Sequence, residues 1–125
     1  MYNQRWSPDG QWIVATPITN AGLYLFNLAR REWTVLTTMQ ADYPNWSRGS
    51  DSVLFCSQLP GGEQAIYRVS LQSRKVTLVS SLIGTPRAWN EIYSRWVGIG
   101  PDDSPLVLRS ADLQRIYLLS FTSPR

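Results

Sequence analysis

The side chains of this sequence that could do chemistry are few, and they lack the partners that catalysis requires. The chain has nine acidic residues and no histidine, which removes Ser-His-Asp and Cys-His catalysis and histidine metal ligands. Cys56 is the only cysteine, so no internal disulfide is possible, and its neighbours Phe55 and Ser57 favour a buried, inert thiol. The sequence predicts a protein that is not an enzyme and uses no cofactor.

One adjacent acidic pair, Asp102-Asp103, would be the candidate for a Ca²⁺ site or for the acid pair of a hydrolase. Adjacent side chains on a strand point in opposite directions, and Asp102 takes the position in a sequence repeat that Asp9 takes in a turn. Both points favour turn stabilisation over metal binding, and Asp51 has the same interpretation. A hydrolase would instead need two carboxylates that converge in one pocket.

The elements that must position these residues are repeated along the chain. Two blocks recur: Arg5–Ala15, Asn45–Phe55 and, less closely, Gly98–Leu108 form the first, and Leu23–Phe26, Ile66–Val69 and Ile116–Leu119 form the second. Trp6 and Trp46 lie 40 residues apart. A period near this length, built from short β-rich segments, predicts a β-propeller with one repeat per blade.

Each repeat carries a turn motif, written Trp6-Ser7-Pro8-Asp9-Gly10 in the first copy, Trp46-Ser47 in the second and Pro101-Asp102-Asp103 in the third. With the strand that follows it, this block resembles the WD-like repeat of TolB-type propellers over nearly all of residues 2–121. The third repeat also resembles the last blade of bacterial sensory propellers, which implies a C-terminal half-propeller. The resemblance implies structural roles in the repeat turn for Trp6, Pro8, Asp9, Gly10, Trp46, Pro101 and Asp102.

The predicted fold class is all-β, with three propeller blades of antiparallel meander strands in a single half-propeller domain over residues 1–125. Blade 1 is expected at about residues 2–38 and blade 2 at about 42–80. An inserted loop at 81–93 precedes blade 3, at about 94–121, which is expected to lack an outer strand.

Ligand binding is expected at the channel of the propeller, which the inner strands line. Arginine, asparagine and aromatic side chains together suit a sugar, peptide or carboxylate ligand. The candidate ligand-binding residues on the inner strands and the inserted loop are Arg5, Asp42, Tyr43, Asn45, Trp89, Arg95 and Trp96. The alternative is structural: arginine and aspartate pair across the channel while Trp89 and Trp96 fill the core.

Three blades are too few to close a ring, and a lone arc would expose the apolar faces of its first and last blades. Two copies related by a two-fold axis along the channel would form a six-bladed ring closed by homodimerisation. Rings of other sizes and a monomer stay open as alternatives.

The charge pattern favours neither nucleic acid nor membrane as a partner. The net charge is +3, and the closest basic pairs, Arg30-Arg31 and Arg74-Lys75, fall in predicted turns. No apolar stretch approaches the length of a membrane span, and no signal peptide is expected in this chain.

The leading hypothesis is a non-catalytic scaffold and binding module that self-assembles into a closed ring and binds a protein or small ligand at the channel mouth. The alternative is a lectin-like propeller that binds sugars or other carbohydrate. That alternative predicts solvent exposure for at least two of four tryptophans, Trp12, Trp33, Trp89 and Trp96.

Overall fold

The structure, a computed structural model, describes residues 1–86 and 97–109 of the chain. Within these ranges every regular element is a β-strand, and no helix is present. The strands are β1 (Tyr2–Trp6), β2 (Trp12–Thr16), β3 (Leu23–Asn27), β4 (Glu32–Thr37), β5 (Asp42–Trp46), β6 (Ser52–Gln58), β7 (Gln64–Ser70), β8 (Val76–Ser81), β9 (Val97–Ile99) and β10 (Pro105–Val107).

The strands form three antiparallel sheets that follow chain order. Strands β1-β2-β3-β4 form the first, hereafter blade 1, and β5-β6-β7-β8 form the second, blade 2. Strands β9 and β10 pair as the described part of blade 3. The first strands of the three blades lie next to one another, with β1 against β5 and β5 against β9. These contacts make β1, β5 and β9 the inner strands of an arc and confirm the predicted all-β meander class.

The core lies between the blades because each sheet turns apolar side chains to both of its faces. Between blades 1 and 2, Val14 and Leu25 of blade 1 cluster with Val53 and Phe55 of blade 2. Between blades 2 and 3, a smaller cluster contains Leu54, Cys56, Ile66 and Val97. The first six residues of β6 are all buried, because alternate side chains enter the two clusters and both faces of the strand are covered. The Cys56 thiol is buried as predicted.

A serine and an aspartate build the turn between the first two strands of blades 1 and 2. The Ser7 hydroxyl donates to Asp9 at 2.5 Å and accepts from the Trp12 amide at 3.0 Å. In blade 2 the Ser47 hydroxyl donates to Asp51 at 2.7 Å. These hydroxyl donors are the main reason that the pKa of each of the two carboxyls lies below its usual value.

The fourth residue of this turn joins neighbouring blades in blades 2 and 3. Gly10, Ser50 and Asp103 hold this position and all have positive φ, at 72°, 58° and 63°. The Ser50 hydroxyl accepts from the Asp9 amide of blade 1 at 3.0 Å, and Asp103 accepts from the Arg48 amide of blade 2 at 2.9 Å. The side chains of Ser50 and Asp103 therefore each join their own blade to the preceding one.

We expect Gly22→Ala to destabilise the fold. Gly22 has a φ of +108°, and a Cβ there would overlap the carbonyl oxygen of Thr37 on the paired strand. Backbone strain and this overlap should lower the free energy of unfolding by about 2–3 kcal/mol, measured by urea denaturation.

Gly49→Ala is the matched control, since a Cβ at Gly49 would lie 3.7 Å from Asp51 in ordinary contact. Its free energy of unfolding should change by less than about 0.5 kcal/mol. Equal losses in the two variants would contradict the close packing of Gly22 on β4.

Candidate functional site

The inner strands of blades 1 and 2 carry the same irregularity near their first residues. In β1 the register shifts between Tyr2 and Arg5, and in β5 it shifts between Asp42 and Asn45. Tyr43, inside the second bulge, has a φ of +50°. Such a conformation is unusual for a tyrosine, and bulges at the rims of sheets redirect side chains. We call the beginning of the inner strands, where both bulges lie, the channel mouth.

Three polar side chains from separate segments meet at the channel mouth. The Tyr2 hydroxyl donates to Asp42 Oδ1 at 3.2 Å and forms a short hydrogen bond to Asn20 Oδ1. Tyr2 begins β1, Asp42 begins β5, and Asn20 lies in the loop between β2 and β3. The bond between Tyr2 and Asp42 also ties the inner strand of blade 1 to that of blade 2.

The electrostatics of this cluster are those of a carboxylate held partly out of water. Burial raises the pKa of the Asp42 carboxyl above its usual value of 3.8, and the hydrogen bond from Tyr2 opposes part of that rise. Burial, followed by the charge of Asp42, raises the pKa of the Tyr2 hydroxyl. Among the described residues no arginine or lysine lies within 4 Å of Asp42. The carboxylate thus presents an acceptor at the channel mouth without a cation beside it.

The other candidate ligand-binding residues are placed in different ways. Arg5 is exposed, and its guanidinium donates to the Gln4 carbonyl at 3.0 Å rather than to Asp42. The Asn45 amide donates to the Tyr43 carbonyl at 2.9 Å and to the Val97 carbonyl at 3.2 Å, so it links blade 2 to blade 3. Trp89, Arg95 and Trp96 lie outside the described residues.

Two members of the cluster, Tyr2 and Asn20, are not among the residues predicted from the sequence. The available signal for Tyr2 was its repeat position, because Tyr2 faces Thr16 in the same way that Asp42 faces Cys56. Asn20 gave no repeat signal, since the corresponding loop of blade 2 has a different sequence.

The acids of the repeat turns accept hydrogen bonds from backbone amides of the repeat turns. Asp102 accepts from the Ser104 amide at 3.1 Å, while the neighbouring Asp103 accepts from the Arg48 amide of blade 2. Across residues 1–86 and 97–109, no group of three possible ligands is arranged to hold a metal ion. The described part of the chain also contains no helix with the length and apolarity needed to cross a bilayer.

The tryptophans named for a lectin-like function differ in their exposure. Trp33 is 44% exposed, and its ring centroid lies 5.1 Å from that of Phe26. Trp12 is half-buried against the core between blades 1 and 2. Because Trp89 and Trp96 fall outside the described residues, the lectin hypothesis stays a prediction.

No protein-family model and no curated protein matches the chain by sequence. Solved structures do match it. TolB from Acinetobacter baumannii is similar with a TM-score of 0.59 at 22% identity, covering 80% of this chain and 24% of that one. A putative TolB from Agrobacterium tumefaciens gives 0.51 at 22% identity, covering 73% and 31%. A prolyl endopeptidase structure gives 0.57 at 19% identity, covering 85% and 18%.

These similarities confirm the sequence resemblance at the level of fold: the chain has a TolB-type propeller-like fold. The chain spans less than a third of the length of each of these proteins. At such identities a shared fold carries no activity with it, and the matches include an endopeptidase beside the TolB proteins.

We expect Asp42→Asn to stabilise the protein at neutral pH. The raised pKa means that folding favours the protonated carboxyl, so the stability contribution of Asp42 is present below 3.8 and lost as pH rises through the folded value. Asparagine keeps an acceptor for Tyr2 without a charge. Because the side chain is only half-buried, the gain at pH 7 should stay below about 1 kcal/mol by urea denaturation.

At pH 3 the gain from Asp42→Asn should disappear, because the wild-type carboxyl is then mostly protonated in both states. Glu63→Gln, at an exposed position in the β6–β7 turn, is the charge-matched control and should change little at either pH. A gain of equal size at both pH values would mean that burial of charge is not its cause.

Proposed function

We propose that this chain is a non-catalytic binding and scaffold module that self-assembles with a second copy into a closed propeller ring and binds a protein or small ligand at the channel mouth. The observation that carries this proposal is the contrast between two tryptophans at one repeat position. Trp46 is 6% exposed, whereas Trp6 is 61% exposed.

Trp46 shows how this repeat position is used when a preceding blade is present. Its indole Nε1 donates to the Arg5 carbonyl of blade 1 at 2.9 Å, and its ring joins the core between the two blades. Trp6 pairs with Ile13 as Trp46 pairs with Val53, so it occupies the same place on blade 1. Trp6 therefore has the geometry of a side chain that packs on the inner strand of a further blade.

The rest of the outer face of blade 1 has the same character. Trp33 and Val35 lie on the face of the sheet that points away from blade 2, as Trp6 does. They are 44% and 48% exposed. The corresponding inner part of blade 2, which includes Val53, Phe55 and Val69, is buried against blade 1. An apolar sheet face of this kind is typical of an interface.

A second copy of the chain is the occupant that the repeat favours, because a propeller blade packs its first face on the second face of another blade. A two-fold axis along the channel would place blade 3 of each copy on blade 1 of the other, and one operation would satisfy both open faces. Gly10 lacks the side chain that joins turns between the internal blades. The new interface would depend on Trp6 and the apolar face instead.

Ring closure would also complete the channel mouth. Tyr2, Asn20 and Asp42 would then border the opening of a channel lined by inner strands from two copies. The half-buried Asp42 carboxylate, which lacks a basic partner within 4 Å among the described residues, suits a ligand that presents N–H donors. A basic peptide segment of a protein partner has that chemistry.

We expect the wild-type chain to have about twice its chain mass of 14.2 kDa by light scattering on a size-exclusion column. Trp6→Arg should shift the mass to that of one chain, because a charged side chain would be buried at the centre of the interface without a partner.

Ile18→Arg provides the control, since Ile18 is an 83% exposed apolar residue in the β2–β3 loop, outside the strands that form the sheet face containing Trp6. It should leave the mass unchanged. A wild-type monomer, or a dimer that Trp6→Arg leaves intact, would contradict assembly through this face.

A further inference from the structure

A polar pocket lies between blades 2 and 3. The equivalent space between blades 1 and 2 is filled by apolar side chains. The pocket has a volume of about 380 Å³ and is lined by, among others, Asp51, Ser52, Arg68, Ser70 and Asp103. It is formed by β6, β7 and the repeat turns, and it is separate from both the channel mouth and the face that contains Trp6.

Two substitutions within the repeat explain why the pocket exists. In blade 1, Val14 pairs with Leu25, and in blade 2 the equivalent pair is Leu54 with Arg68. By the same register Ser52 takes the position of Trp12. Leu25 and Trp12 pack into the core between blades 1 and 2. A serine in place of the indole leaves space between blades 2 and 3, and an arginine in place of the leucine brings a cation into it.

One donor of the Arg68 guanidinium has no partner in the protein. Its Nε atom is buried and has no hydrogen-bond partner. Among residues 1–86 and 97–109 no carboxylate lies within 4 Å of its guanidinium. Buried donors are nearly always paired. Arg68 lines the pocket with no carboxylate within 4 Å among the described residues, so its guanidinium can form charge-assisted hydrogen bonds with an acceptor group of a ligand.

The two carboxylates of the pocket limit the charge that a ligand can carry. Asp51 and Asp103 bring two carboxylates to one guanidinium, so a simple anion such as phosphate would meet net negative charge. A hydrogen bond from Ser47 is the main cause that lowers the pKa of Asp51, and the positive charge of Arg68 adds to it. The negative charge of Asp51 at neutral pH therefore suits a positively charged group, and Asp103 adds carboxylate oxygens to the same pocket.

We propose that this pocket binds a small ammonium carboxylate of amino-acid size, with its carboxylate on Arg68 and its ammonium group toward Asp51 and Asp103. The hydroxyls of Ser52 and Ser70 add hydrogen-bonding capacity without charge. The pocket is contained in one chain, so binding there does not depend on ring closure, and its failure would leave the proposed assembly unaffected.

Isothermal titration calorimetry on the 125-residue chain tests this site with L-alanine and L-lysine as probes. Acetate and methylammonium are the half-ligand controls, because each presents only one of the two charges. The two amino acids should bind at least about tenfold more tightly than either control, since only they satisfy both ends of the pocket. Absence of binding by both amino acids, or equal binding of acetate, would overturn the proposal.

Arg68→Leu should weaken amino-acid binding by at least about tenfold and should fold, because leucine is the residue that the repeat carries at Leu25. Arg30→Leu, at an exposed position paired with Glu32 at 3.7 Å, should bind as the wild type does. Arg68→Lys keeps the charge without the Nε donor and gives the same comparison if Arg68→Leu does not fold. Wild-type affinity in the Arg68 variant that folds would overturn the assignment.

Discussion

The packing of one blade face on the next is the interaction on which the rest of the structure depends. A four-stranded sheet with apolar side chains on both faces cannot bury them alone, so each blade is stable only where a neighbour covers it. Val14 and Leu25 on one side meet Val53 and Phe55 on the other, and all four are nearly inaccessible to solvent. The hydrogen bonds of the repeat turns join the same blades at their turn ends.

The turn shows that the physical requirement is conserved within the chain even where the residue order is not. In blade 1 the serine hydroxyl donates to an aspartate two positions later, and in blade 2 to an aspartate four positions later. The Ser50 hydroxyl and the Asp103 carboxylate are likewise equivalent, since each accepts a hydrogen bond from a backbone amide of the preceding blade. What each turn needs is one carboxylate within reach of the serine and one residue that tolerates positive φ.

These features explain how far the sequence predicts the structure. A period near 40 residues, short β-rich blocks and turn residues are local patterns, and they suffice for the strands, the blade order and the buried Cys56. The cluster at the channel mouth required tertiary information, because Tyr2, Asn20 and Asp42 meet only through the bulges of the inner strands and a loop. Trp6 and Trp46 look alike in sequence and differ in exposure, because burial depends on the neighbouring blade and not on the residue itself.

The space between blades 1 and 2, the space between blades 2 and 3 and the outer face of blade 1 therefore differ in their surroundings within one architecture. Leucine and tryptophan fill the space between blades 1 and 2, whereas arginine and serine leave a polar pocket beside the apolar cluster between blades 2 and 3. The outer face of blade 1 has no covering blade within the described residues. The backbone register is the same in the first two cases, so the filled space and the pocket differ in the side chains at these two repeat positions. A repeat fold can in this way acquire a polar pocket by changing two residues, because the strands that position them are held by contacts elsewhere in the blade.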